Sequence, residues 1–250
     1  MQGIVSIHNL RKSYNGEVVL DIPDLDLVAG QSFGLVGNNG AGKTTLFAVI
    51  AGNQKPTNGS ITFDGRRIDG NRPDQVSRLG IARTFQIVRP FGELSVVENL
   101  AVGAMFGARQ EQSMEQAEVR AREILDDVGL ADRAGDFASE LTLAGRKRLE
   151  VARALATEPK LLMLDEVLAG LTPAEVNDAV LMIRELQEKY KLTVIMVEHV
   201  LRAVMQLCQR IVVLHHGEKI SEGTPEHVSN DPAVIEAYLG TSKLIEDADK

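Results

Sequence analysis

Two segments of the chain are apolar at nearly every position rather than at every second one. "KLLMLD" (160–165) and "TVIMVE" (193–198) are continuous runs of this kind, the pattern of strands buried on both faces inside a parallel sheet. "SITF" (60–63) instead alternates and runs into Asp64-Gly65, which predicts a strand entering a hairpin. "RIVVLHHGEKI" (210–220) predicts a further strand and a turn. Helical spacing appears between 113 and 130, where Ala117, Ala121, Ile124, Leu125 and Val128 fall on one face, with Ser113 as N-cap and Gly129 as stop. A second helix is predicted over 173–190, opened by Thr172-Pro173-Ala174-Glu175, a capping box with proline at its first position. Thr224-Pro225 and Asp231-Pro232 predict two short helices, the last ending at Gly240, and the acidic tail 241–250 is expected to fray.

Strands alternating with helices predict an α/β fold with helices on both sides of a sheet. The stretch 88–158 reads as mostly helical and interrupts that alternation, which predicts an inserted helical subdomain within a single domain of 250 residues. Composition changes the picture only by exclusion. A net charge of -8 argues against a general nucleic-acid role, because phosphate backbones need a positive surface. A single cysteine, Cys208, excludes a disulfide framework and a CxxC metal site. The N-terminal residues hold no apolar run of signal-peptide length, and "VIMV" and "IVVL" are too short to span a bilayer. A soluble chain is expected, held at any membrane by other chains.

The chemistry concentrates in a few places. Gly37-Asn38-Asn39-Gly40-Ala41-Gly42-Lys43-Thr44 matches G-x-x-x-x-G-K-[ST], between a predicted strand "SFGLV" (32–36) and a predicted helix "TTLFAVIAG" (44–52) that stops at Gly52. In that context glycines turn backbone amides toward phosphates, the helix N-terminus adds positive dipole, Lys43 supplies a point charge and the Thr44 hydroxyl can ligate Mg2+. Asp165 closes the run "LLML" and is followed by Glu166; a carboxylate at a strand end can hold Mg2+, and its neighbour can polarise an attacking water. His199 follows "TVIMVE" at what should be the same sheet edge, within reach of a terminal phosphate, although a lone histidine there is as often structural. Gln86 matters only if it lies at a nucleotide. Tyr14 is either a half-buried strand residue or a platform for adenine.

In the order Tyr14, GNNGAGKT, Gln86, "LTLAGRKRLEVARAL", "LLMLDE", His199, these motifs closely resemble the ATP-binding subunit of ATP-binding-cassette (ABC) transporters over nearly the whole chain. The resemblance implies a phosphate-loop, RecA-like ATPase core with an N-terminal antiparallel β subdomain and the inserted helical subdomain. It implies ATP and Mg2+ as cofactors. Tyr14 matches the adenine-stacking aromatic, and Gly37, Asn38, Asn39, Gly40, Ala41, Gly42, Lys43, Thr44 and Thr45 match the Walker A loop. Asp165 matches the Walker B aspartate, Glu166 the general base, His199 the switch histidine, and Gln86 the Q-loop glutamine that touches Mg2+ and faces the membrane partner. In this family two subunits pack head to tail, each ATP lying between one Walker A loop and the other subunit's signature loop, here Thr142, Ala144 and Gly145. The implied partners are a second ATP-binding subunit, identical or related, transmembrane permeases docked near Arg89, Pro90 and Phe91, and indirectly a periplasmic binding protein. The implied location is the cytoplasmic face of the inner membrane.

"ARTFQIVRPFGELSVVENLAVGA" and the ending "GTPEHVSNDPAVIEAYLG" are similar to the ATPases of branched-chain amino-acid importers. Urea or amide importers and the lipopolysaccharide-export ATPase share much of the pattern. A soluble ABC ATPase acting on DNA or ribosomes is the competing class; its long coiled-coil insertion or second cassette is not in this sequence. Three places depart from the family. The signature loop has Thr142 for Ser, Ala144 for the second Gly and Gly145 for Gln; Val167 replaces a proline; and Thr172 stands where the D-loop carries Asp or Asn. A left-handed bend at Ala144 would cost roughly 1 kcal/mol for its methyl, so Ala144 or Gly145 is expected to carry the bend.

Overall fold

The computed structural model describes residues 3–85, 90–110 and 113–239. The strands are β1 (Val5–Tyr14), β2 (Glu17–Leu27), β3 (Ser32–Val36), β4 (Asn58–Phe63), β5 (Arg66–Arg67), β6 (Ile81–Arg83), β7 (Leu161–Asp165), β8 (Thr193–Val197), β9 (Arg210–His215) and β10 (Glu218–Gly223). The helices are α1 (Lys43–Ile50), α2 (Pro73–Arg78), α3 (Val96–Phe106), α4 (Met114–Asp127), α5 (Leu143–Ala156), α6 (Pro173–Tyr190), α7 (Leu201–Leu207), α8 (Pro225–Ser229) and α9 (Pro232–Leu239). Two compact units result: one carries the chain up to Pro73 and from Thr193 onward, the other runs from Asp74 to Leu192.

In the first unit the strand order is β5-β4-β1-β2-β10-β9-β3-β8. One half is antiparallel, with β1 between β2 and β4, and alternate residues such as Val5, Ile7, Leu20 and Ile22 bury one face. In the other half β9, β3 and β8 run parallel, and β10 returns antiparallel to β9. β3 pairs with β8 from Ser32↔Val194 to Leu35↔Val197, and with β9 from Phe33↔Arg210 to Val36↔Val213. All five residues of β3 and of β8 are buried, which is why β8 reads as an apolar run in the sequence. Asn15-Gly16, Asp64-Gly65 and His216-Gly217 all have positive φ and make the tight turns that suit the twist of paired strands. The lone thiol, Cys208, is buried behind β3, and burial pushes its pKa up to about 12.

In the second unit β6 and β7 run parallel, and α3, α4 and α5 lie between them in sequence. The predicted face of α4 is fully buried at Ala117, Ala121, Ile124, Leu125 and Val128; Ser113 caps it and Gly129 leaves it at φ 67°. Thr172 and Glu175 form the capping box predicted for α6. Helix α3 has a box of its own from Ser95 and Glu98, and one turn into α3 stands Asn99, fully buried. Its carbonyl oxygen accepts from the Phe91 amide at 2.9 Å, and its amide nitrogen donates to the carbonyls of Phe91, Leu94 and Ser95 at 3.0–3.3 Å. One side chain thus fixes the turn leading into α3. Gly240 and the tail 241–250 lie outside the described residues. No helix among the described residues is long and apolar enough to cross a membrane.

Asn99→Ala leaves the Phe91 amide without its acceptor, while the three carbonyls keep backbone donors from Leu94, Ala138 and residue 99 itself, so it should destabilise the chain by about 2–3 kcal/mol. That corresponds to a thermal midpoint lowered by about 5–10 °C, measurable by circular dichroism.

Candidate nucleotide-binding site

The predicted phosphate loop joins β3 to α1 in the first unit. A Cβ on Gly37 would sit 2.4 Å from the Leu214 carbonyl oxygen, so only glycine lets the chain turn out of β3 there. Gly40 and Gly42 have φ of 80° and 98°, a region costly for other residues; Gly42 is the N-cap of α1 and lies against β2 at Val19 and Leu20. The exposed tip is Asn39 and Gly40. Lys43 is 6% exposed and folds back over the loop, its Nζ donating to the carbonyls of Gly37 at 2.6 Å and Asn38 at 3.0 Å. Asn38 Nδ2 donates to the Ala237 carbonyl at 3.3 Å, tying the loop to α9. Ala41 is buried, Thr45 is half-buried, and Thr44 presents its hydroxyl at the first turn of α1, exposed. A loop bent at glycines and closed by one ammonium thus leads into a helix N-terminus, a setting that can receive phosphate oxygens.

His199 belongs to the same unit and is exposed just past β8. Because β8 runs parallel to β3 in register, His199 and Gly37 leave the sheet at one edge. Tyr14 ends β1 at the hairpin into β2, 41% exposed, with Lys12 Nζ 4.7 Å from its ring centre.

The two acids lie in the second unit. Asp165 ends β7, 3% exposed; its amide donates to Thr84 Oγ1 at 2.9 Å and its Oδ2 accepts from Arg83 Nη2 at 2.7 Å. Glu166 has φ 51°, left-handed for a residue with a side chain. The Asp165 carboxylate is an oxygen donor of the type that suits a hard cation such as Mg2+. Gln86 and Arg89 lie outside the described residues.

A family model described as "ABC transporter" matches residues 20–169, taking in the phosphate loop and both acids. The chain belongs to the ABC transporter family. A second model, described as "Branched-chain amino acid ATP-binding cassette transporter", matches residues 218–243 of this cassette. Among curated relatives, the high-affinity branched-chain amino acid transport ATP-binding protein LivG of Escherichia coli (strain K12) is 37% identical, over 96% of this chain and 98% of LivG. The lipopolysaccharide export system ATP-binding protein LptB of Haemophilus influenzae is 33% identical over 95% of this chain and 97% of LptB. Among solved structures, the ADP conformation of MJ1267, an ATP-binding cassette of an ABC transporter, superposes with a TM-score of 0.86 at 30% identity, covering 96% of this chain and all of that one.

The ABC signature segment is where the structure corrects the sequence reading. Neither Ala144 nor Gly145 carries a left-handed bend, because α5 is already helical from Leu143. The chain turns at Thr142, which is extended (φ -60°, ψ 170°) and is the N-cap, its Oγ1 accepting from the Gly145 amide at 3.1 Å. The Gly145 amide is therefore bonded within the cap. Thr142 keeps its hydroxyl proton to donate, and Leu143 and Ala144 supply the amides at the very start of the helix. Thr172 is committed to its own cap: its Oγ1 and amide both donate to Glu175 Oε2 at 2.8 Å.

Sequence reasoning missed the charged groups buried around the Walker B strand. Glu150 of α5 is 7% exposed and its Oε1 accepts from the Phe85 amide at 2.6 Å; burial pushes its carboxyl above the usual carboxylate range. Lys147, also 7% exposed, donates from Nζ to the Glu166 carbonyl at 2.9 Å. On α5 the only available signal was a charge at positions that should face inward. The cap also sets two mutational outcomes apart. Thr142→Ala should cost about 1 kcal/mol, a midpoint drop of about 2–4 °C. Gly145→Gln should leave the midpoint within about 2 °C, since its gain in helix propensity, about 0.5–1 kcal/mol, offsets a Cβ placed 3.3 Å from Leu141 Cβ. A loss of several degrees in Gly145→Gln, read by thermal denaturation, would mean that Gly145 bends after all.

Proposed function

We propose that the chain is the ATP-hydrolysing, energy-coupling subunit of an importer for branched-chain or related amino acids. The observation that carries this reading is the presence, in one chain, of a lysine-closed phosphate loop and a segment, 218–243, matching the branched-chain cassette model. The phosphates of ATP lie on the amides of Gly37 to Thr45, where Lys43 exchanges part of its bonding to loop carbonyls for phosphate oxygens. Tyr14 stacks on adenine. Thr44, Asp165 and Gln86 would hold Mg2+, which would supply positive charge against the terminal phosphoryl group. Glu166 accepts the proton of the attacking water, and His199 hydrogen-bonds the terminal phosphate.

Thr142 and the first amides of α5 close over the nucleotide of a second ATP-binding subunit, a copy of this chain or a related one. ATP binding closes the pair, and hydrolysis reopens it. The motion passes to transmembrane permeases docked beside Gln86, Arg89, Pro90 and Phe91, next to the helical subdomain 88–158. Phe91 is 46% exposed and its ring lies 4.9 Å from the Arg153 guanidinium, an aromatic surface backed by a cation. Coupling requires that the two dimer states bind the permeases differently. The assembly sits at the cytoplasmic face of the inner membrane, and a periplasmic binding protein delivers the solute.

Glu166→Gln should lower ATP turnover by about 100-fold or more and leave nucleotide binding intact, measured by phosphate release and fluorescent-nucleotide titration. Wild-type turnover no faster than that of the mutant would refute hydrolysis. Membrane co-purification with mass spectrometry of the intact complex tests the transport half: two permease chains are expected, and recovery of soluble partners alone would refute it.

A further inference from the structure

Helix α5 carries two buried charged side chains one turn apart, and each ends on the backbone of a segment that the ATPase reading makes catalytic. Lys147 Nζ donates to the carbonyl of Glu166, and Glu150 Oε1 accepts from the amide of Phe85, the residue before Gln86. Burying an ammonium is costly unless it is well bonded. Among the described residues no carboxylate lies within ion-pair distance of Lys147; its hydrogen bond goes to a peptide carbonyl instead. That carbonyl belongs to a residue in the left-handed region, with φ 51°. Such a conformation persists in a residue with a side chain only where the surroundings over-determine it. The backbone bond to the same carbonyl, from the Ala169 amide, is long at 3.3 Å, whereas the bond from Lys147 is charge-assisted.

The left-handed turn at Glu166 decides where its carboxylate aims as the chain leaves β7. Relaxing φ toward ordinary values would swing that carboxylate aside, and a misplacement of about 1 Å at a reacting group can cost about 100-fold in rate. We propose that Lys147 is a positioning residue for hydrolysis: by gripping the Glu166 carbonyl it holds the general base in its strained, productive backbone conformation. Glu150 serves the neighbouring segment in the same manner, so that one helix, starting at the Thr142 cap, holds the backbone of both the base and the approach to Gln86. This rests on the ATPase reading above.

The test compares Lys147→Met, which keeps the stem and loses the ammonium, with Lys147→Arg in the full chain. Lys147→Met is expected to lower kcat by about 10-fold or more, with KM for ATP and the dissociation constant of a fluorescent ATP analogue within about 2-fold of wild type. Lys147→Arg should recover most of the loss. In a Glu166→Gln background the same Lys147→Met change should alter residual turnover less than about 2-fold, because the effect runs through the base. Should Lys147→Met fail to fold, Lys147→Gln, a neutral donor on a shorter stem, is expected to give the same split. The inference is overturned by unchanged kcat in these variants, by an equal fractional loss in the Glu166→Gln background, or by a loss of nucleotide binding that parallels turnover. Turnover in the wild type with unaffected Lys147 variants overturns this inference alone; a wild type without turnover overturns the ATPase reading as well.

Discussion

The parallel pairing of β3 with both of its neighbours is the constraint on which the first unit depends. A strand paired on both edges and buried at every position leaves little room for polar side chains, so after Ser32 β3 carries only Phe33, Gly34, Leu35 and Val36. Polar chemistry is then pushed to the residues that follow, and parallel direction puts those residues at one edge of the sheet. Gly37 leaves β3 where a Cβ would strike Leu214, the loop closes on Lys43, and His199 emerges past β8 at that same edge. The phosphate loop and its histidine are therefore consequences of one strand arrangement, not separate inventions.

The second unit solves a different problem, the placing of charges in an interior. Arg83, Lys147, Glu150 and Asp165 are all largely buried, and each is bonded. Asp165 pairs with Arg83, while Glu150 and Lys147 end on backbone atoms. Buried charges of this kind contribute little net stability, because desolvation offsets most of what the pairs return. Their value lies in geometry: Glu150 and Lys147 each fix a backbone segment next to a residue with a proposed role, and mispairing any of the four would leave a charge unsatisfied.

How much of this was legible in the sequence depends on how local the cause is. β7 and β8 were legible because four of the five positions in each are apolar, and α4 and α6 because Ser113 and Thr172 cap them with residues three positions on. Asn15-Gly16 carried the same turn signal as Asp64-Gly65 and marks the long β1–β2 hairpin, yet the flanking strands are mixed enough to hide its extent. Helix α7 has no side-chain cap and only seven residues, so neither end announces itself. Glu150 was illegible for a physical reason: its partner, the Phe85 amide, is 65 residues away, and no spacing rule links α5 to the end of β6. The bend expected at Ala144 or Gly145 failed because a capping threonine turns the chain before either is reached.

The departures from the family pattern are best understood together. Leu143, in the signature segment, has its Cδ2 where a Cβ on Gly170 would approach to 3.1 Å, so its methyl covers the glycine of the loop after Walker B. Ala144 and Val167 line one small apolar cavity of about 30 Å³ with Leu168, Leu171 and Ala179. A signature segment rich in glycine would offer nothing to pack against that loop. Here Ala144 shares a cavity wall with Val167, which stands where the family carries proline. Thr172 then opens α6 with a capping box that is complete within its own helix. The altered letters form one packing solution joining the start of α5 to the chain between β7 and α6, and Lys147 reaches the Glu166 carbonyl across that same junction. Apolar substitution at the loop and charged anchoring behind it act on the same few residues, while the Thr142 cap sets the helical start itself.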